Sequence, residues 1–84
     1  MESFQVLFSK QAQKDIALLT LKQKEKLRQI TEILVVNPYA GKALKGELKG
    51  LYSYRLNRID RIVYEILETE KVIFVIRART HYGE

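Results

Sequence analysis

Three alternating segments, 51–57, 61–67 and 71–79, follow one another in this sequence with almost nothing between them. Alternation of apolar and polar residues is the period of a strand with one face buried. The gaps at 58–60 and 68–70 are long enough only for tight turns. Consecutive strands joined that way run antiparallel as hairpins. A small meander with one apolar face also needs a second layer to cover it.

The first half of the sequence supplies that layer. Phe4–Phe8 alternates, with Phe4, Val6 and Phe8 on one face, and reads as a first strand. Ser9 is a helix N-cap. Ala12, Ile16 and Leu19 then recur at spacings of four and three, the stripe of a first helix. Thr20-Leu21-Lys22-Gln23 matches a capping box and starts a second helix. Its buried stripe is Leu27, Ile30 and Leu34 with Thr31 at the rim, and Asn37-Pro38 stops it. Residues 37–50 hold Gly41, Gly46 and Gly50 among three lysines and read as a loop. The expected fold is α+β in the order β-α-α-β-β-β, with the helical hairpin packed on one face of a small, mainly antiparallel sheet. At 84 residues, this is a single domain spanning 1–84.

Composition removes several chemistries. There is no cysteine, so disulfides and thiolate metal sites are excluded. One histidine cannot build a structural zinc site, and neither metal nor cofactor is expected. Gly41-Lys42 lacks the upstream glycine spacing of a phosphate-binding loop. No serine or cysteine stands beside an acid and a histidine in a way that supports a hydrolytic triad. The longest apolar run, 72–76, is far short of a membrane span, and no signal peptide opens the chain. A soluble cytoplasmic protein with no membrane partner is expected.

The formal charge is +5, and its placing says more than its size. Lys42, Lys45, Lys49, Arg55, Arg58 and Arg61 face only Glu47 and Asp60 across 42–61, whereas 62–70 carries Glu65, Glu68 and Glu70 and no base. Clustered cations of this kind suit a polyanion partner. Strand pleating then sorts them by face. Tyr52, Tyr54 and Leu56 oppose Ser53 and Arg55. Ile62, Tyr64 and Ile66 oppose Arg61, Val63 and Glu65. Val72, Phe74, Ile76 and Ala78 oppose Ile73, Val75, Arg77 and Arg79. Antiparallel order puts Arg55, Arg61, Arg77 and Arg79 on one face near one edge, with His81 and Tyr82 just beyond. Guanidiniums gathered in this way repel one another unless an anion sits among them, and phosphate is the natural candidate.

Metal-free RNA cleavage fits these residue types. The 2′-hydroxyl attacks the adjacent phosphorus as a base helps remove its proton, cations stabilise the added negative charge, and an acid protonates the leaving 5′-oxygen. Arg61 suits charge stabilisation because it keeps its proton. His81 suits the acid. Tyr82 suits stacking on a base or orienting the phosphate.

The run Leu44-Lys45-Gly46-Glu47-Leu48-Lys49-Gly50-Leu51-Tyr52-Ser53-Tyr54-Arg55-Leu56, followed by Asp60-Arg61-Ile62-Val63-Tyr64-Glu65, resembles the RelE/ParE toxin superfamily of bacterial toxin–antitoxin modules. The pair His81-Tyr82 is similar to the ending of its YoeB/Txe branch. The resemblance implies a ribosome-dependent mRNA endonuclease, with the ribosome and mRNA as targets and a cognate antitoxin as partner. It implies Arg61 as the phosphate-stabilising arginine and His81 and Tyr82 as catalytic partners. Lys45, Lys49, Arg55, Arg77 and Arg79 are expected to bind RNA, the loop lysines by folding over the arginine face. The YoeB branch carries a glutamate as general base two residues before its Leu-Lys pair. This chain has Lys42 there, which leaves Glu47 as the carboxylate expected to substitute. RelE-type chains carry a lysine where Ser53 stands. The same resemblance admits a ParE-like inhibitor of DNA gyrase without catalysis, or a non-enzymatic RNA-binding relative.

Overall fold

A computed structural model describes residues 3–80. Its elements are β1 (Gln5–Phe8), α1 (Lys10–Ala17), α2 (Leu21–Val36), β2 (Lys42–Ala43), β3 (Leu51–Arg55), β4 (Arg61–Leu67) and β5 (Val72–Thr80). The strands form one sheet in the order β1-β5-β4-β3-β2. Within it β3, β4 and β5 are the antiparallel meander read from the alternation. β1 returns to the far edge and pairs parallel with β5. The α+β order and the covering helices are as expected, and β2 is an addition. Two residues are too few to show a strand period in sequence. Lys42 and Ala43 become a strand only by pairing with Ser53 and Tyr52.

The helix starts are set by their caps. Ser9 Oγ accepts from the Ala12 amide at 3.0 Å and donates to the Ile76 carbonyl at 2.7 Å. One hydroxyl thus begins α1 and ties it to β5. At α2, Thr20 Oγ1 accepts from the Gln23 amide and Gln23 Oε1 accepts from the Thr20 amide, the reciprocal capping box. α1 stops at Ala17, earlier than its stripe suggests, and Leu19 reaches the core from the connection.

Ala12, Leu19, Leu27, Ile30 and Leu34 from the helical layer bury against Leu56, Ile62, Tyr64, Ile73, Val75 and Ala78 from the sheet. Tyr52, Tyr54, Ile66, Phe4, Val6 and Phe8 pack around them, as their faces predicted. β5 corrects the expectation. Ile73 and Val75 enter the core, while Val72, Phe74 and Ile76 are only half-buried. Both faces of this run are apolar, so alternation could not choose between them, and register decided. Ile73 lies opposite Ile66, and Val75 opposite Tyr64. The pairing then shifts. Arg77 faces Val63 and Thr80 faces Arg61, which places an extra β5 residue at each of two steps. The first shift reverses the pleat and returns Ala78 to the core.

These irregularities occur where β5 outruns β1, whose last partner is Val75. α1 takes over there. The buried carboxylate of Asp15 accepts from the Ala78 amide at 3.0 Å, from Arg77 Nε at 2.8 Å and from Arg77 Nη2 at 3.3 Å. Gln11 adds a bond at 3.2 Å. Burial acting alone would raise the Asp15 pKa. The Arg77, Ala78 and Gln11 hydrogen bonds and the Arg77 charge outweigh it and hold the carboxyl below its ordinary 3.8. No helix among the described residues is long and apolar enough to cross a membrane.

Candidate functional site

The helices cover one face of the sheet, and no helix among the described residues covers the other. Two rows of cross-strand partners on the open face matter. One runs Lys42, Ser53, Val63, Arg77, and the next runs Arg55, Arg61, Thr80. Arg55 therefore stands directly opposite Arg61. The turn between them fixes this register. The Leu56 and Asn57 amides both donate to the Asp60 carbonyl, and Asn57 Oδ1 accepts from the amides of Ile59 and Asp60 at 2.8 Å each. An asparagine that bonds its own backbone in this way replaces a backbone turn.

Like charges directly opposite in an antiparallel ladder oppose pairing, by roughly 0.2–1 kcal/mol. Nothing described offsets the cost here. Among the described residues the ion pairs are those of Arg28 with Glu25 and Glu32 and that of Arg77 with Asp15. None involves Lys42, Arg55 or Arg61. These three side chains border an open depression of about 280 Å³ with Ser53 on its floor. That volume is near the lower bound of roughly 300 Å³ for small-ligand pockets and ample for a phosphate.

Tyr64 sets the β2 side of the depression from the other face of the sheet. Its ring is fully buried and stacks on Tyr52 with centroids 5.7 Å apart. Its hydroxyl donates to the Pro38 carbonyl at 2.8 Å and accepts from the Gly41 amide at 3.1 Å. Burial pushes this phenol up to about 12. Gly41 is required by closeness. A Cβ there would lie 2.3 Å from the Tyr64 hydroxyl and 2.6 Å from the Ser53 carbonyl oxygen. The clamp delivers the chain into β2 and fixes the backbone of Lys42.

The predicted site residues divide. Arg55 and Arg61 are together, and the exposed Arg79 precedes the Thr80 partner of Arg61 at the same end of the sheet. Arg77 lies one row away and is committed to Asp15, so the four-arginine corner is reduced by one. Lys45, Lys49 and Glu47 do not fold over the arginines. Their connection meets the sheet at Leu44 and Leu51, and the five residues of β3 carry the chain roughly 13 Å from that end to Arg55. Glu47 therefore sits at the end of the strand away from Arg61. His81 and Tyr82 lie outside the described residues. Sequence reasoning missed Lys42 and Ser53 as site residues and Asp15 as a partner. Lys42 could have been found at the position where the YoeB branch has its glutamate. Nothing local in the sequence marks Asp15, whose partner is 62 residues away.

Two helices packed on one face of a mainly antiparallel five-stranded sheet match the RelE/YoeB-like fold. The YoeB/ParE toxin from Agrobacterium tumefaciens superposes with a TM-score of 0.85 at 23% identity, over 94% of this chain and 100% of that one. The YoeB dimer from Staphylococcus aureus gives 0.81 at 26%, over 95% and 99%. The toxin–antitoxin complex RelBE2 from Mycobacterium tuberculosis gives 0.75 at 26%, over 100% and 97%. No curated protein sequence matches the chain. Residues 6–83 match the family model of the ParE-like toxin of type II bacterial toxin–antitoxin systems, and the chain belongs to that family.

Proposed function

We propose that this toxin is a ribosome-dependent mRNA endoribonuclease, kept inactive by a cognate antitoxin. The observation that carries the reading is Arg55 opposite Arg61 beside Lys42, without an ion pair to any described residue, over a phosphate-sized depression. A scissile phosphate in that place draws the two guanidiniums onto its oxygens. As the 2′-hydroxyl attacks, its proton passes to water, the bond to the 5′-oxygen breaks, and the extra negative charge is met by the donors drawn onto the phosphate. Arg61 acts as charge stabiliser because it keeps its proton throughout. His81 donates the proton to the leaving 5′-oxygen, and Tyr82 orients the phosphate or stacks on a base. Lys42, Arg55 and Arg79 bind RNA. The distance along β3 argues against Glu47 as general base. An antitoxin partner is supported by the M. tuberculosis relative, solved as a toxin–antitoxin complex.

The test is mRNA cleavage on programmed ribosomes, followed by primer extension. Wild type is expected to cut, and Arg61→Ala to cut slower by roughly 10²-fold or more, the usual loss for one transition-state donor. Intact mRNA with wild type, or unchanged cleavage by Arg61→Ala, refutes the reading. The ParE-like family match favours a second reading, a gyrase poison that acts by binding alone. That reading predicts DNA damage on expression, intact mRNA and tolerance of His81→Ala.

A further inference from the structure

We propose that the Ser53 hydroxyl is an anion-binding donor on the floor of the cationic depression, left unpaired so that it can hydrogen-bond a phosphate oxygen. The proposal rests on the anion reading of Arg55 and Arg61 given above and adds a residue to it.

Ser53 is 2% exposed, and its Oγ is the one buried side-chain polar atom among the described residues with no hydrogen-bond partner. Such groups are uncommon because burial strips the hydroxyl of water and returns nothing. The neighbours explain why the proton finds no acceptor. Across the sheet, Ser53 lies between Lys42 and Val63. The other charged side chains bordering the depression are Arg55 and Arg61. Lysine and arginine have donors and no acceptor, and valine has neither. The side chain of Tyr54 packs against the core on the opposite face. Among the described residues this wall holds cations and a spare O–H, and none of its charged groups can receive that hydrogen bond.

A group that satisfies all of them at once must be rich in acceptors and negative, which is the description of a phosphate. Lys42 and Arg55 are exposed and Arg61 is half-buried, so their long side chains can swing onto an arriving anion and open the floor beneath them. The floor itself is held still. Ser53 is hydrogen-bonded into a central strand, and Gly41 packs close against its carbonyl. The hydroxyl is thus a fixed donor among long cationic side chains, and it sets the depth at which the anion comes to rest.

The experiment is a titration of the ¹⁵N-labelled full chain with inorganic phosphate, read by amide shifts, alongside urea denaturation. Wild type should show saturable shifts at Lys42, Ser53 and Arg61, and Arg61→Gln should lose them. Ser53→Ala should weaken phosphate binding about tenfold, the worth of one charge-assisted hydrogen bond. Its urea midpoint should stay the same or rise, because the deleted hydroxyl had no partner. Ser53→Thr, which keeps the hydroxyl, should restore binding. Equal affinity in Ser53→Ala, no saturable site in wild type, or a matching loss of stability and affinity in Ser53→Ala overturns the proposal. The two readings fail separately. Ser53-dependent phosphate binding with uncut mRNA removes the nuclease and keeps the subsite. Cut mRNA with Ser53-independent phosphate binding does the reverse.

Discussion

Replacing Asp15 by alanine should destabilise this protein more than any surface substitution, and the reason is countable. The carboxylate receives Arg77 Nε, Arg77 Nη2, the Ala78 amide and Gln11, and it is buried. Deleting one partner of a buried charge pair costs about 3–5 kcal/mol, because the other charge is left stranded. Here the Arg77 side chain is 33% exposed and regains water, so about 2–3 kcal/mol is expected. In a domain of this size that lowers the melting temperature by about 10–20 °C. Asp15→Asn keeps an oxygen for Ala78 and loses the charge, for roughly half the effect. The pH dependence has a fixed sign. Asp15 has a folded pKa below 3.8, so its contribution is complete above that value and is lost as pH falls through the lower folded value. Urea denaturation by circular dichroism at pH 7 and pH 2 checks this. The difference between wild type and Asp15→Asn should be large at pH 7 and shrink towards pH 2. A loss under about 0.5 kcal/mol for Asp15→Ala, no larger than a typical surface substitution, or a difference unchanged at pH 2, refutes the reasoning.

Three further outcomes are expected. Gly41→Ala drives a methyl to 2.3 Å from the Tyr64 hydroxyl and 2.6 Å from the Ser53 carbonyl, so it should cost about 1–3 kcal/mol in urea and shift the Lys42 amide resonance. Tyr64, with its phenol raised to about 12, should contribute stability that is full below its ordinary value of 10 and lost as pH rises towards 12; ultraviolet titration should show one tyrosine ionising late, and Tyr64→Phe should remove it. Arg55→Ala should weaken phosphate binding while raising the unfolding free energy measured in urea by about 0.2–1 kcal/mol, since it relieves a like-charge pair; a fall in that free energy would show the pair to be stabilising in itself.

Local order was legible and long-range order less so. Ser9, the Thr20–Gln23 box and Asn37-Pro38 announced the helices because capping is a property of four or five consecutive residues. Arg55 and Arg61 could be brought together on paper because one short turn joins two alternating strands. The face of β5 could not be read, since Val72 to Ile76 is apolar throughout and its partners on either side decide the outcome. Arg77 keeps its predicted face, opposite Val63, but its partner could not be read. Its pleat is broken by a shift in register, and the carboxylate that claims it comes from a helix at the other end of the sequence. Lys42 was hidden by the shortness of β2, and Ser53 because an unpaired hydroxyl is a fact of packing and not of composition.

The parallel pairing of β1 with β5 also bears on how the toxin is made. Residues near the start of the chain find their partners only at 72–75, and the Asp15 lock waits for 77 and 78. The hairpin carrying Arg55 and Arg61 needs no such wait. The β3–β4 turn is thus built from near neighbours in sequence, whereas the sheet that frames it closes only through β5. Products cut short of β5 therefore carry the charges of the turn without the frame that aims them.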